Sequence, residues 1–408
     1  MSDGFKARHR KSEKFFTRKR ILGFPELVFL HINRLVLSLA VELEKFMCYF
    51  NISDGYSKQA FSKARQQFSH SAFTELNHVC AQGYYRDFPL AKFKGNYLLL
   101  AVDGSLCQMP ETKESALHFG RWKNHLPTAG MPVGRCSVFF DVLNRVILDA
   151  VLAPHSVGER DLFEEHRANA FELLAEFAHP VIYLMDRGYP SFTLLSSIDE
   201  QGSHYVVRCT KSYRKEVSRF VAADIDQDTF RLAEADKSLK VRIVRILLDT
   251  GEYEYLLTNT DLSDEELSEV YFLRWGIETF YGSLKGTLQL ENFSSRTVQG
   301  VLQDFHVSIL VANLSNLLIH EAQEKHEQES KLKPKTKYQR KVNRNVAIGI
   351  FKHHILELLT RKDASPLLDS LIDKIKKHLV DVKPNRKFPR AKDKKSRRSY
   401  SLTTRKAM

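Results

Sequence analysis

The sequence predicts a mixed α/β domain with a central sheet, and three observations carry this prediction. Apolar runs rich in β-branched and aromatic residues recur from about residue 97, among them "YLLLAVDGS", "PVGRCSVFFDVL" and "RVILDAVLAP". A helical segment, "ERDLFEEHRANAFELLAEFA", follows these runs. Another apolar run, "VIYLMDRGYPS", then stops at Gly and Pro. The order strand, strand, strand, helix, strand is typical of a sheet layered with helices.

Helical patterns flank this layer, and a β-rich stretch interrupts it. Residues 25–90 show apolar residues at spacings of three and four, which predicts helices. Residues 210–262 lose the helical signal and end in two β-runs around "DTGE", which predicts a hairpin in a β-rich insertion. Ser263 and Glu266 form a capping box that begins a long helix, and a second helix is predicted over about 298–325.

Charge divides the chain into an acidic body between two basic ends. The net charge is +13, but residues 1–20 hold 8 Lys+Arg against 2 Asp+Glu, and residues 331–408 hold 24 against 6. The residues between them carry a net charge of −11. This arrangement suggests a polyanion held by the ends of the chain.

A short basic helix near the N-terminus has two interpretations. The segment "NISDGYSKQAFSKARQQFS" predicts a turn followed by an amphipathic helix with Lys58, Lys63 and Arg65. Helix, turn and basic helix is the order of a helix-turn-helix DNA reader. The same order also occurs in helical bundles, where the helix only packs, and both interpretations stay open.

Cysteines and hydropathy limit the class of protein. The five cysteines are scattered and form no C-x-x-C pair, which argues against a disulfide framework or a zinc knuckle and favours a reducing, cytoplasmic compartment. The most apolar run is broken by His31, Arg34 and Glu42, which argues against a membrane span and a signal peptide. We therefore expect a soluble protein that does not bind membranes.

Two aspartates stand at the carboxyl ends of predicted strands. Asp103 follows the apolar run "YLLLAV", and Asp186 follows "VIYLM". Because the carboxyl ends of neighbouring strands in an open sheet face one crevice, acids at these positions can share a site. Turn chemistry is the alternative, since Asp-Gly and Asp-Arg-Gly also suit strand ends.

The segment "YFLRWGIETFYGSLKG" places charged residues in an aromatic, apolar run. On a continuous helix its Tyr271, Arg274, Glu278 and Lys285 lie within a stripe of about 60°. A surface helix with an ion pair between Arg274 and Glu278 would give the same pattern. Because the region is heavily aromatic, we predict that the stripe faces a site and that Trp275 packs against protein.

These residues resemble a known signature. The spacing Y-x2-R-x3-E-x6-K is similar to that of the insertion-sequence-four family of DDE transposases, and "VDGS" and "MDRGY" lie where the family has its first two catalytic aspartates. The resemblance covers about residues 97–325. It implies a ribonuclease-H-like mixed sheet flanked by helices, with a β-rich insertion before the helix of the catalytic Glu, plus an N-terminal helical domain.

The resemblance also implies a chemistry and a set of partners. Three gathered carboxylates repel unless a cation shares the site, and their oxygens suit Mg²⁺, with Mn²⁺ as a substitute and two ions expected. The substrate is double-stranded DNA, both transposon ends and target, bound by a homodimer in the bacterial cytoplasm at the nucleoid. The implied catalytic and metal-binding residues are Asp103, Asp186 and Glu278, and the implied DNA-binding residues are Tyr271, Arg274 and Lys285.

The predicted organisation has four parts in chain order. They are a basic arm at 1–20, a helical DNA-binding domain at 21–92, a ribonuclease-H-like catalytic domain at 93–330 with the insertion at about 210–262, and a basic C-terminal region at 331–408 with short helices and a disordered tail. Two other functions are compatible with the same residues. One is a non-catalytic DNA-binding regulator that kept the fold, and the other is a nuclease that cuts DNA without joining strands.

Overall fold

The chain forms two compact units in the computed structural model, which describes residues 1–33, 38–122, 130–248, 251–331 and 337–383. One, here the sheet unit, comprises Asn77–Cys107 and His118–Ser283. The other, here the helical unit, comprises the described residues of Met1–Leu76, Gln108–Leu117 and Leu284–Met408. Each unit draws on separate stretches of the chain, and the four ranges given above stay a prediction.

The secondary structure has the following bounds in the described residues. The strands are β1 (Leu98–Gln108), β2 (Arg121–Trp122), β3 (Met131–Asp141), β4 (Val146–Pro154), β5 (Val181–Met185), β6 (His204–Cys209), β7 (Gln227–Glu234), β8 (Lys237–Leu247), β9 (Tyr253–Thr258), β10 (Gln339–Val342) and β11 (Leu379–Val382). The helices are α1 (Asp3–His9), α2 (Phe24–Ile32), α3 (Leu39–Tyr49), α4 (Lys58–Arg65), α5 (Ser71–Asp87), α6 (Lys113–Phe119), α7 (Glu159–Asn169), α8 (Phe171–Phe177), α9 (Phe192–Glu200), α10 (Lys215–Ala223), α11 (Asp264–Leu273), α12 (Trp275–Gly286), α13 (Val298–Lys331), α14 (Arg344–Thr360) and α15 (Ser365–Lys376).

A single mixed sheet forms the centre of the sheet unit. Its strands follow the order β2-β3-β1-β5-β6-β9-β8-β7, and β4 pairs with β3. Strand β5 runs parallel to β1 and to β6, whereas β3 with β4, β6 with β9, β8 with β9 and β7 with β8 are antiparallel. The prediction of a mixed α/β fold with a sheet flanked by helices is confirmed.

The parallel register aligns the two predicted aspartates. Strand β5 is buried throughout, as expected for a strand covered on both faces, and it pairs with β1 from Leu98↔Val181 to Ala101↔Leu184. Continued by two residues, this register sets Asp103 beside Asp186. Neighbouring strands lie about 4.8 Å apart, so the two side chains begin from adjacent positions at one edge of the sheet.

The hairpin predicted around "DTGE" is present, and β3 and β4 form another. Strands β3 and β4 join through residues 142–145, where Arg145 takes a positive φ of 58°. Strands β8 and β9 pair across the "DTGE" turn, of which residues 249–250 lie outside the described residues. The prediction that residues 210–262 contain no helix is wrong over Lys215–Ala223, where α10 buries Val217 and Phe220.

The long helix predicted after Ser263 is in fact two helices. The capping box is confirmed, since the Ser263 hydroxyl accepts a hydrogen bond from the Glu266 amide and the Glu266 carboxylate accepts one from the Ser263 amide. Helix α11 ends at Leu273 because the Arg274 amide bonds to the Tyr271 carbonyl, three residues back, at 3.1 Å. Helix α12 begins at Trp275, so the angular stripe calculated for one continuous helix is only approximate.

The helical unit packs α2, α14 and α15 against α13. Helix α13 is the one described helix long and apolar enough to cross a membrane, but 78% of its most apolar window is buried inside the protein, which is the pattern of a core helix. Part of the predicted basic C-terminal region forms β10, which pairs antiparallel with β11. The predicted disordered tail, residues 384–408, lies outside the described residues.

Two observations bear on the predictions for the N-terminal residues. The predicted basic arm contains α1, whose Phe5 and His9 are buried, and His9 bonds to Glu75 at 2.8 Å and to Ser71 at 2.9 Å. Arg65 of the predicted DNA-reading helix is 2% exposed. Its guanidinium pairs with Asp304 at 2.8 Å, so Arg65 serves packing because a buried charge needs a buried partner.

Candidate active site

Two of the predicted acids lie at one edge of the sheet. Asp186 directly follows β5, as predicted. Asp103 lies within β1 and not after it, because β1 continues to Gln108 beyond its pairing with β5. Burial falls at this point, from fully buried residues up to Val102 to half-buried ones from Asp103 to Leu106. The edge where β5 ends is therefore the point at which both carboxylates become accessible.

Arg274 links the remaining predicted residues to these acids. Its side chain is 3% exposed, and its Nη2 donates a hydrogen bond to Glu278 Oε1 at 2.9 Å. Its guanidinium lies 5.3 Å from the centre of the Tyr271 ring, and the Tyr271 hydroxyl donates to Asp186 Oδ1 at 3.3 Å. Burial lowers the pKa of Arg274, but Tyr271, Asp186 and Glu278 together raise it above its ordinary value. Arg274 is therefore a permanent cation among the acids.

Asp103 shares this electrostatic environment. Burial raises the pKa of its carboxyl to about 6, and the negative charges of Glu278 and Glu159 raise it as well. Arg274 and the Gly104 amide act in the opposite direction without cancelling the effect. The pKa of Tyr271 is also raised, mainly by burial. Carboxylates that are costly to ionise in a partly buried site are what a bound cation would stabilise.

Tyr281 fixes α12, the helix of Glu278, against the sheet. Its hydroxyl is buried and donates to the Asp103 carbonyl oxygen at 2.8 Å, with the Cys136 carbonyl oxygen 3.2 Å away. Glu278 lies three residues earlier on α12, and so the same contact sets the distance between Glu278 and the strand of Asp103. The sequence analysis missed Tyr281, since one more aromatic residue in an aromatic helix carries no distinguishing signal.

Two residues fall outside this arrangement. Lys285 lies on α12 but belongs to the helical unit, where its Nζ is 3.5 Å from Glu291. Its contact with DNA stays a prediction. The expectation that Trp275 packs against protein is wrong for much of its surface, because its side chain is 41% exposed.

Three further charged or polar residues at this edge were also missed. Arg208 of β6 lies 3.8 Å from Asp186 and 3.0 Å from Glu254. Glu159 begins α7, and Tyr189 follows Asp186 by three residues with a hydroxyl that is buried. In the sequence Glu159 looks like an ordinary acid in the first turn of a helix, where it would complement the helix dipole.

The donor set suits a hard divalent cation. Asp103, Asp186 and Glu278 offer carboxylate oxygens, the ligands that Mg²⁺ and Mn²⁺ prefer. In the part of the chain that the structure describes, no three His, Cys, Asp or Glu side chains are already arranged around a metal position. Arg274 holds Glu278 in an ion pair, and the buried Tyr189 hydroxyl and Arg274 Nε have no hydrogen-bond partner among the described residues. Asp103, Asp186 and Glu278 are therefore the side chains that would hold a divalent cation at this edge.

The chain is similar to transposases. A family model described as "Transposase DDE domain" matches residues 94–314, which include all six residues of the signature. Transposase InsG for insertion sequence element IS4, from Escherichia coli (strain K12), is 24% identical over 262 residues, which cover 58% of this chain and 55% of the relative. The chain thus spans about half the length of this curated relative.

A solved structure is similar over a larger share of the chain. A cryo-EM structure of a piggyBac transposase synaptic complex with hairpin DNA matches 91% of this chain and 80% of that chain, at 11% identity and a TM-score of 0.46. The match to the "Transposase DDE domain" family is a match of sequence and not of structure. Members of this family generally use divalent metal ions. Because that match extends over more than half of the residues, the chain belongs to the DDE transposase family, as its resemblance to the insertion-sequence-four group predicts.

Proposed function

We propose that this chain is a transposase that binds the terminal repeats of an insertion sequence and catalyses metal-dependent DNA cleavage and strand transfer. The observation that carries the proposal is the set of contacts around Arg274. This one buried cation pairs with Glu278 and interacts electrostatically with Asp103 and Asp186, which supports a site shared by the three acids. The sheet order supports a ribonuclease-H-like core, in which β4-β3-β1-β5-β6 form the central sheet and β7 to β9 the insertion.

The proposed chemistry follows from the donor set. Asp103, Asp186 and Glu278 would hold divalent ions, with two Mg²⁺ as the expected case, and these would supply activation of an attacking hydroxyl and stabilisation of a leaving oxygen. No covalent protein nucleophile is required. Arg274 carries positive charge that offsets the negative charge of a DNA phosphate, and Tyr271 orients Asp186 through its hydroxyl. Lys285 holds a phosphate further along α12 in this proposal.

The helical unit supports the proposal with a basic groove. An open cavity of about 1070 Å³ lies among residues 16–22, the turn at 52–57 and α4, and basic residues Lys19, Arg20 and Lys63 line it with one acid, Asp54. Basic side chains along a groove suit a DNA backbone. We infer that this groove, and not the buried Arg65, carries the DNA contacts of the predicted N-terminal domain. Cytoplasmic location at the nucleoid and a homodimer on DNA belong to the same proposal.

Cleavage of the element's own DNA tests the proposal. The substrate is a labelled linear duplex with the flanking terminal repeats, incubated with and without Mg²⁺ with wild type, Glu278→Gln and Glu269→Gln. Glu269 is an exposed acid of α11 and serves as the matched control. We expect Mg²⁺-dependent nicking at the repeat boundary for wild type and Glu269→Gln, and none for Glu278→Gln.

Other outcomes would select the other functions. Binding without cleavage, identical for wild type and Glu278→Gln, would favour the DNA-binding regulator. Cleavage without any joined product, when a target plasmid is supplied, would favour the nuclease.

A further inference from the structure

Glu159 lies at the same edge of the sheet but is not one of the three acids, Asp103, Asp186 and Glu278, that are proposed to bind metal. It is the first residue of α7, and its side chain is 31% exposed. Its Oε1 accepts a hydrogen bond from Arg135 Nη1 of β3 at 2.6 Å, while Arg135 Nη2 donates to the His155 carbonyl oxygen at 3.2 Å. Glu159 is therefore held by a partly exposed arginine and is not locked in a buried network.

Two glycines allow the Glu159 carboxylate to approach the predicted catalytic aspartates. A Cβ atom added at Gly104, next to Asp103, would lie 3.0 Å from Glu159 Oε1. One added at Gly188, two residues after Asp186, would lie 2.8 Å from Glu159 Oε2. Real Cβ atoms hardly ever come so close to another heavy atom, so any larger residue at either position would displace the carboxylate. The carboxylate thus lies between the backbones that carry Asp103 and Asp186.

Tyr189 gives a second, independent indication of a ligand at this place. Its side chain is 1% exposed, and its hydroxyl has no hydrogen-bond partner among the described residues. The Tyr189 amide donates to the Asp186 carbonyl oxygen at 3.0 Å, and burial together with the negative charges of Glu159, Asp103 and Asp186 raises the pKa of the Tyr189 hydroxyl. A buried donor without an acceptor is costly, and a ligand at the site would remove that cost.

We propose that Glu159 is a fourth acidic ligand of the divalent-metal site, held by Arg135 while no metal is bound. The inference rests on the proposed function. Three carboxylates leave several of the six positions of Mg²⁺ open, and the Glu159 carboxylate already lies close to the backbones of Gly104 and Gly188, next to Asp103 and Asp186. In the competing interpretation, Glu159 and Arg135 form only a structural ion pair that fixes the start of α7.

Binding of Mn²⁺ to the full-length protein without DNA tests this inference apart from catalysis. The electron paramagnetic resonance signal of free Mn²⁺ is titrated against wild type, Glu159→Gln, Arg135→Met and Glu278→Gln. The control is Glu165→Gln, an exposed acid on the same helix as Glu159. We expect Glu159→Gln to weaken Mn²⁺ binding tenfold or more, and Glu165→Gln to leave it unchanged. Arg135→Met should bind Mn²⁺ as tightly as wild type or tighter, because it frees the Glu159 carboxylate.

The outcomes separate this inference from the proposed function. Wild-type Mn²⁺ binding by Glu159→Gln, together with weak binding by Glu278→Gln, would overturn the inference alone. Equal losses in Glu159→Gln and Arg135→Met, with equally lowered melting temperatures, would assign a structural ion pair and overturn it as well. Absence of Mn²⁺ binding by wild type would overturn both this inference and the metal dependence of the proposed function.

Discussion

Two carboxylates in the sheet unit, Asp149 and Asp103, differ in how fully they are buried and in how fully they are paired. Asp149 of β4 is 0% exposed, and it accepts hydrogen bonds from His166 at 2.7 Å, Asn169 at 2.9 Å and His78 at 3.1 Å. Burial alone would raise its pKa, but the hydrogen bonds from His166 and His78 hold it well below the ordinary range. Asp103 has no comparable set of donors, and burial raises its pKa to about 6.

The contrast is between a fully buried acid whose hydrogen bonds are satisfied and a half-buried acid, proposed to bind a cation, that lacks such partners. Asp149 also belongs to a hydrogen-bonded chain that resembles a catalytic triad. His166 Nδ1 lies 2.7 Å from Asp149, and His166 Nε2 lies 2.8 Å from the Ser137 hydroxyl. All three side chains are fully buried, so no substrate can reach the hydroxyl. This hydrogen-bonded chain is a satisfied polar network of the core, whereas the acids around Arg274 remain open to a ligand.

The largest expected effect is on DNA cleavage and comes from removing the charge of Asp103. Asp103→Asn should lower DNA cleavage about 10³-fold or more, because one oxygen ligand of the metal site is lost. Its free energy of unfolding should not fall, since an amide has no charge to desolvate at that position. Cleavage rates and urea denaturation measure the two quantities. Cleavage by Asp103→Asn at the wild-type rate would show that Asp103, like Asp149, has no role in cleavage.

A substitution at Asp149, the fully hydrogen-bonded acid, should lower stability and leave DNA cleavage unchanged. Asp149→Ala should lower the free energy of unfolding by about 3 kcal/mol, because it leaves His166 and Asn169 without a buried acceptor. Urea denaturation monitored by circular dichroism measures this loss. Under conditions where the variant is folded, its cleavage rate should stay near that of wild type. A loss below about 1 kcal/mol would contradict the assignment of Asp149 to a structural network.

The pH dependence of stability should also distinguish the two acids. The folded-state pKa of Asp103, about 6, lies above the value of about 3.9 for an unfolded aspartate, so its stabilising contribution is full below about pH 4 and is lost as the pH rises to about 6. The contribution of Asp149 has the opposite sign, since its pKa is depressed, and it is present above about pH 4 and lost at lower pH.

Unfolding free energies in EDTA measure this contrast. Between pH 4 and pH 7, wild type should lose about 2 kcal/mol relative to Asp103→Asn. Equal pH dependence of the two proteins would show that the pKa of Asp103 is not raised in the folded state.

The smallest expected effect on cleavage comes from Tyr281, whose hydroxyl holds α12 against β1. Tyr281→Phe should destabilise the fold by about 1 kcal/mol and lower cleavage about tenfold, since Glu278 loses the contact that sets its distance from β1. Tyr85→Phe is the matched control, because the Tyr85 hydroxyl donates to the buried Asp141 at 2.6 Å. It should cost similar stability and leave the cleavage rate unchanged. Equal effects of both variants on cleavage would assign Tyr281 to packing alone.

Local patterns were enough to predict much of the fold. Alternation and apolar runs gave the strands around Asp103 and Asp186, and the capping box at Ser263 gave the start of α11. Features that depend on contacts with distant parts of the chain, such as α10 and the break at Arg274, were not predicted. Helix α10 is held by the residues it buries, and the break at Arg274 follows from the placement of two helices against one sheet, neither of which a local window contains.

The sequence by itself determined the identity and spacing of the six signature residues and the mixed α/β class, because these depend on residue type and period. Tertiary structure alone decided how those residues are paired. It buried Arg274 beside Glu278, assigned Arg65 to packing and brought Glu159 between Gly104 and Gly188. The physical reason is that the free energy of a charge depends on its burial and on partners supplied by distant parts of the chain.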